Sequence, residues 1–288
     1  MSFTIVTVLH DSAPELQRLL PSLREHLPSD VQLVVVDSGS GDDGPALARA
    51  AGAEVIVLDG NQGFGAASNA GVAAARHAAT VLLNPDCELL DSGLSELAGR
   101  AAGREALLVP RLIEADGALQ RSAHPLPGGP MALVRAVLPT RVLPQPYRAR
   151  RPRRVGWAIA ACLAAPTAVL RRLGPFDPGA FLFYEDMDLC LRAHAAGVPT
   201  VLRPEVVVRH LGGRSTARQF GGEAFDLQAR RRREVVGSRL GPRALRYDDG
   251  AQALTFGLRA AVGRERGRNL AALRALRAAR RMATAAPR

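Results

Sequence analysis

Residues 31–86 read VQLVVVDSGSGDDGPALARAAGAEVIVLDGNQGFGAASNAGVAAARHAATVLLNPD. Val31–Val36 is a continuous apolar run, the pattern of a strand buried on both faces. Residues 45–51 predict a short helix, 54–58 a strand, 66–78 an Ala-rich helix and 80–83 another strand. Upstream, residues 3–9 are apolar and β-branched, and residues 13–26 carry Leu at helical spacing. Strands alternating with helices predict an α/β fold with a mostly parallel central sheet and right-handed crossovers. In such sheets ligands gather beyond the carboxyl ends of the strands.

Three strand ends carry the same kind of residue. Val36 leads into Asp37-Ser38-Gly39-Ser40, Leu58 into Asp59-Gly60-Asn61-Gln62-Gly63-Phe64-Gly65, and Leu83 into Asn84-Pro85-Asp86. Asp, Asn and Gly are also ordinary loop formers. Their recurrence on one edge of the sheet is what points to a site. The chain has only four Asn, and Asn61, Asn69 and Asn84 fall within 24 residues. In a chain that uses Arg 38 times and Lys never, the bias of a GC-rich genome, such a cluster suggests chemistry that needs an amide.

Residues 111–155 are rich in Pro, Gly and Arg and read as irregular surface excursions. Strand patterning returns at 156–163. Residues 174–192, GPFDPGAFLFYEDMDLCLR, place Phe176, Phe181, Phe183 and Tyr184 ahead of Glu185, Asp186 and Asp188, with a helix from 188 to 195. A partly desolvated carboxylate at a helix start can serve as a general base. The same residues could simply cap first-turn N–H groups. Asp86 and His210, each following a strand, could share Mg2+ or Mn2+. His210 could equally be a satisfied structural histidine. The other histidines (10, 26, 77, 124, 194) show no zinc-ligand spacing.

The net charge of +11 is unevenly placed. Residues 1–216 hold 21 Arg and 21 acids, whereas residues 217–288 hold 17 Arg and 6 acids. That excludes a uniformly basic nucleic-acid coat and predicts a neutral body with a basic helical extension. The uncharged stretch that most resembles a membrane span, residues 155–170, is too short to cross a bilayer. MSFTIVTVLHDS lacks the basic start of a signal peptide. Cys87, Cys162 and Cys190 are far apart and read as buried inert thiols in a reducing compartment. Together these features predict a cytoplasmic protein.

Two other functions fit parts of the sequence. Gly63-Phe64-Gly65-Ala66-Ala67-Ser68 approximates the dinucleotide fingerprint, with Asp86 about 20 residues on. Its third Gly is missing and two strand–helix units precede it, which weakens a nicotinamide-dependent oxidoreductase reading. Alternatively, Arg230–Arg233 and residues 264–281 could make a non-enzymatic protein that adheres to anionic membranes. At 100° per residue, however, Leu270, Leu273 and Leu276 share a half of the last helix with Arg274, Arg277, Arg280 and Arg281. An interfacial helix should separate them. The tail has no aromatic stacking platforms for nucleic acid.

Taken in order, Asp37-Ser38-Gly39-Ser40, Asn61-Gln62-Gly63-Phe64-Gly65 with Asn69 and Gly71, Leu83-Asn84-Pro85-Asp86, Phe176-Asp177, residues 183–192, His210 and Ser215 resemble family 2 inverting glycosyltransferases of the GT-A fold. Within these the chain is similar to bacterial rhamnosyltransferases, including those acting on N-acetylglucosaminyl-diphospho-polyprenol. The resemblance, which covers residues 3–216, implies a GT-A domain over 1–216, with a nucleotide-sugar half (1–110) and an acceptor half (111–216). Residues 217–288 would then be the basic helical extension.

The resemblance also implies roles. Asp37, Asn61, Gly63, Asn69, Asn84 and Asp86 would bind the nucleotide-diphosphate sugar donor. Asp86 and His210 would hold Mg2+ or Mn2+, and Asp186 would be the catalytic base. Trp157 and Glu185 would line the pocket for a glycan or lipid-linked acceptor. The basic extension would rest peripherally on the inner face of the plasma membrane. The chain departs from the family pattern at Ser38, where Asn is frequent, and at Asn84-Pro85-Asp86, which leaves one metal-facing carboxylate. It departs again at Ala160-Ala161, where a Gly-containing pair is expected.

Overall fold

The computed structural model describes residues 2–138, 142–143, 145–177, 182–212, 224–263 and 265–285. Ser215 of the resemblance, Phe181 of the aromatic stretch and Arg264 of the basic tail lie outside the described residues. In chain order the elements are β1 (Thr4–Leu9), α1 (Ala13–His26), β2 (Gln32–Asp37), α2 (Gly44–Ala50), β3 (Glu54–Val57), α3 (Gly63–Ala74), β4 (Ala79–Leu83), β5 (Cys87–Leu89), α4 (Gly93–Ala102) and β6 (Leu107–Ile113). There follow β7 (Ala123–His124), α5 (Pro130–Val137), β8 (Arg153–Val155), β9 (Trp157–Ala158), β10 (Cys162–Pro166), α6 (Thr167–Leu173), α7 (Glu185–Ala195), β11 (Thr200–His210), α8 (Phe225–Ala261) and α9 (Arg266–Ala285).

The sheet has the order β3-β2-β1-β4-β10-β6-β11-β5, with β8 paired to β11. Strands β1 to β4 are mutually parallel, as are β6 and β11. Antiparallel β10 joins the two blocks. The α/β sheet expected from the sequence is therefore present. Its register aligns Leu9 with Asp37 and Asp37 with Val57, so the carboxyl ends of β1, β2 and β3 finish level. Val34, Val35 and Val36 are fully buried, as the uninterrupted apolar run requires, and Leu16, Leu19 and Leu23 turn one face of α1 into the core.

Helix α3 shows how side chains set element ends. It starts at Gly63 rather than at residue 66, because Asn61 Oδ1 accepts the Gly63 N–H at 3.0 Å and Gly63 takes φ of 81°. It stops at Ala74 rather than running to 78. Gln32 Oε1 captures the Arg76 N–H at 2.8 Å and Thr4 Oγ1 the His77 N–H at 3.4 Å, while Arg171 caps the carbonyls of Val72, Ala73 and Ala75. Gly71 lets the helix lie directly on β1, since a Cβ there would sit 2.2 Å from Val6 Cγ1.

The segment 111–155, expected to be irregular, contains β6 to its end, β7, α5 and β8. Pro130 sits in the first turn of α5, where its missing N–H is harmless. Residues 155–170 form sheet strands and the start of α6. No helix among the described residues is long and apolar enough to cross a membrane.

Residues 1–124 and 146–219 form one compact unit, and residues 125–145 with 220–288 another. In the second, α8 kinks at Gly241, whose φ is 84°, ahead of Pro242. Arg232 grips Asp248 with two hydrogen bonds of 2.8 and 2.7 Å across the kink. Arg233 pairs with Asp249, and Arg231 with Glu234. The run Arg231–Arg233 is thus largely committed to internal pairs rather than offered to solvent. In α9 the alanine half is the packed half: Ala272, Ala275 and Ala279 are buried, with Leu276 beside them.

Gly71→Ala should lower the unfolding free energy by about 2 kcal/mol through overpacking against Val6. Gly257→Ala in α8, where nothing lies within 4 Å, should raise it by up to about 1 kcal/mol. Denaturant midpoints of the two variants, moving in opposite directions, check both.

Candidate active site

Beyond the carboxyl ends of β1 to β4 lies a cavity of about 250 Å³. Its lining includes Asn61, Gly63, Asn84, Asp86, Glu185 and Asp186 among the residues picked out from the sequence. Asp37, Asn69, Trp157 and His210 do not line it.

The loops after β2 and β3 are pressed together. A Cβ on Gly39, whose φ is 73°, would lie 2.7 Å from the Gly60 carbonyl carbon and 2.8 Å from Asn61 N. Ser38 Oγ accepts the Gln62 N–H at 3.0 Å. His10, just past β1, donates from Nδ1 to the Ser38 carbonyl at 2.9 Å and accepts at Nε2 from Asn61 Nδ2 at 2.9 Å. Asp37 is buried, and its Oδ1 accepts the Ser40 N–H at 3.2 Å, which braces the loop after β2.

At the end of β4, Asp86 is buried and its Oδ1 lies 3.3 Å from His210 Nε2 at the end of β11. His210 Nδ1 meets Gln120 Oε1 at 2.8 Å. An imidazole held in this orientation can offer Nε2 as a ligand atom beside the Asp86 carboxylate. Two buried lone-pair donors at this spacing suit a divalent cation. Among the described residues no group of three His, Cys, Asp or Glu side chains could hold a metal. An ion here would complete its shell with diphosphate oxygens and water, as Mg2+ does.

On the opposite wall, Phe183 and Tyr184 take φ of 72° and 61°, two consecutive side-chain-bearing residues in the left-handed region. Such backbone persists only where the surroundings impose it. The surroundings are explicit. Arg192 donates to the carbonyls of Leu173 and Pro175 and pairs with Asp188 at 2.7 Å. Asn69 holds Phe176 from the other side, Nδ2 to its carbonyl at 2.8 Å and Oδ1 from its N–H at 3.0 Å. The amide of Asn69 is therefore occupied within the protein. Trp157 stacks on His124 at 4.1 Å and backs Tyr184 at 6.2 Å.

This framework fixes the first turn of α7. Asp186 Oδ1 accepts the Met187 N–H at 2.7 Å, so capping and site geometry coincide in one carboxylate. Burial pushes the Asp186 carboxyl up to about 6, against the downward pull of main-chain N–H groups at Met187, Ala160 and Asp186 itself. Cys87, Cys162 and Cys190 are free and buried, and burial raises all three thiols.

His10, Glu15 and Gln120 were not picked out from the sequence. His10 follows β1, so the strand-end rule applied to β2–β4 extends to it. Glu15 lines the cavity from the start of α1. Gln120 reaches His210 across 90 residues, and no local pattern marks it.

Because its folded value of about 6 exceeds the ordinary 3.8, Asp186 costs nothing below pH 3.8 and destabilises the fold fully above pH 6. Asp186→Asn should therefore melt higher than the parent at pH 7.5, with the gap closing by pH 4. Thermal unfolding at the two pH values checks this.

Residues 4–172 match the family model described as glycosyl transferase family 2. The N-acetylglucosaminyl-diphospho-decaprenol L-rhamnosyltransferase of Mycobacterium tuberculosis is 28% identical over 237 residues, 74% of this chain and 77% of that protein. GalNAc-T7, solved with UDP, GalNAc and Mn2+, superposes with a TM-score of 0.60 at 17% identity, over 82% of this chain and 47% of the other. The chain thus spans about half the length of that protein. The mannosyltransferase PcManGT from Pyrobaculum calidifontis, solved with GDP-Man and Mn2+, gives a TM-score of 0.55 at 16% identity, over 99% of this chain and 75% of that one. These structural likenesses establish the GT-A fold. The family match replaces the oxidoreductase and non-enzymatic readings: over more than half its length the chain belongs to glycosyl transferase family 2, and it is a glycosyltransferase.

Proposed function

We propose that the protein is a metal-dependent inverting transferase moving L-rhamnose from dTDP-rhamnose to a hydroxyl of a glycan or polyprenyl-diphosphate-linked acceptor. The observation that carries the inverting chemistry is Asp186, a half-buried carboxylate that desolvation raises to about 6 in the same cavity as Asp86. The rhamnose and lipid-linked parts rest on similarity to the mycobacterial enzyme.

In this reading residues 1–216 are the catalytic domain. Asn61, Gly63, Asn84 and Asp86 face the donor, while Asp37 and Asn69 brace the loops that do so. Glu185 faces the acceptor, and Trp157 supports that wall through Tyr184. Asp86 and His210 would hold Mg2+ or Mn2+, which when bound neutralises charge on the leaving diphosphate. Asp186 takes the acceptor hydroxyl proton as that oxygen attacks the anomeric carbon. The bond from that carbon to the diphosphate oxygen breaks on the opposite face, so one displacement inverts the centre. The basic extension, 217–288, keeps the catalyst beside an anionic membrane carrying the acceptor.

A donor panel of dTDP-rhamnose, UDP- and GDP-sugars with Mg2+ or Mn2+, read as nucleotide release, tests the assignment; dTDP-rhamnose should lead. Asp186→Asn should cut transfer by about 10³-fold and leave donor affinity nearly unchanged. Since the base acts ionised, kcat/KM of the parent should rise with pH through about 6 and level off above it. A flat profile across that range would remove Asp186 from the role.

Gln120→Leu should weaken Mn2+ binding about tenfold, because His210 loses the partner that fixes its orientation. Gln120→Glu should preserve it. Calorimetric titration of Mn2+ into the protein with dTDP present gives the affinity directly.

A further inference from the structure

Large apolar side chains that remain exposed are concentrated in the second compact unit. Met131, Val134 and Leu138 are three of them, and Leu254, Leu258 and Val262 three more, all between 40% and 77% exposed. At 100° per residue Met131 and Val134 lie about 60° apart on α5, and Leu138 follows directly after the helix. Leu133 is on the other side of that helix, touching the Gly250 position of α8. No residue of α5 is buried.

The two helices run in the same direction. Gly128 lies against Ala244, and Leu133 against Gly250. Continuing at that rate brings the end of α5 level with Leu254. The row Leu254, Leu258 and Val262 then prolongs the apolar face past the point where α5 stops. The stripe is therefore shared by two helices, and its side chains come from positions more than a hundred residues apart in sequence.

Its electrostatic setting selects the occupant. Segments 125–145 and 220–288 together hold 18 Arg and 6 acidic residues. Asp248 and Asp249 are buried in pairs with Arg232 and Arg233, whereas Arg243 and Arg246 stay exposed on α8. A second copy of this chain would bring like charges face to face. An anionic lipid surface accepts both the arginines and the apolar side chains.

We infer that α5 and the last turns of α8 form the face that inserts into an anionic membrane, with Met131, Val134 and Leu138 entering the headgroup–acyl boundary and flanking arginines meeting the phosphates. The inference rests on the membrane reading above and changes it: α5, outside the basic extension, shares the contact with the last turns of α8, and the Arg231–Arg233 run takes no part in it.

The test is sedimentation of the full chain with vesicles of phosphatidylglycerol and phosphatidylcholine. The parent should pellet, and Met131→Asp/Val134→Asp should reduce partitioning roughly tenfold or more. Arg231→Gln/Arg232→Gln would disturb folding, so a non-perturbing probe is preferable as the second arm. Val134→Cys can be labelled selectively, because the three native thiols are buried. An environment-sensitive fluorophore there should shift to the blue with vesicles. Parent and double-Asp variant pelleting alike, with no spectral shift, would overturn the apolar face and leave purely electrostatic adhesion. A parent that fails to pellet would overturn the membrane reading as well. Nucleotide release with a water-soluble acceptor analogue is unaffected by either result, so the glycosyltransferase assignment is judged separately.

Discussion

A partly desolvated carboxylate at the head of a helix is the constraint around which one wall of the cavity is arranged. Asp186 costs stability in its ionised form, and left alone the chain would turn it to solvent. It stays because α7 is tied down on two sides. Arg192 fastens the helix to the carbonyls of Leu173 and Pro175, and Asn69 fastens Phe176, one residue further on, to α3. The left-handed Phe183–Tyr184 pair is the bend that results. Residues remote from Asp186 thus hold the first turn of α7 in place.

The opposite wall follows another logic. There the side chains satisfy one another in a relay: Gln120 to His210 to Asp86 on one side, and Ser38 to His10 to Asn61 on the other. Each relay holds an imidazole in one orientation and leaves a defined atom toward a neighbouring polar group. The pairing of Asp86 with His210 stands where the family pattern would place a second aspartate.

The first four strands were readable because each is a short apolar run bounded by turn residues, and parallel strands admit few arrangements. Residues at their carboxyl ends were readable for the same reason. What escaped depended on contacts between distant positions. The ends of α3 are set by Gln32 and Thr4, which a window over 66–78 does not contain. Helix α5 is hidden by the Pro and Gly residues around it, although Pro130 belongs to its first turn. Asp37 and Asn69 read from the sequence as donor-binding residues, whereas in the structure their side chains hold the loop after β2 and Phe176. The charge of +11 was visible at once. That Asp248 and Asp249 neutralise part of the Arg run internally was not, because the pairing closes across a kink at Gly241.

The contact between Gly39 and the Gly60–Asn61 backbone carries a lesson about divergence. Two loops that a shared glycine brings to within van der Waals distance cannot be remodelled independently. An insertion or a larger side chain in one must be matched in the other, or both leave their places. Substitutions at the ends of β2 and β3 in a lineage built on this scaffold should therefore arrive in pairs.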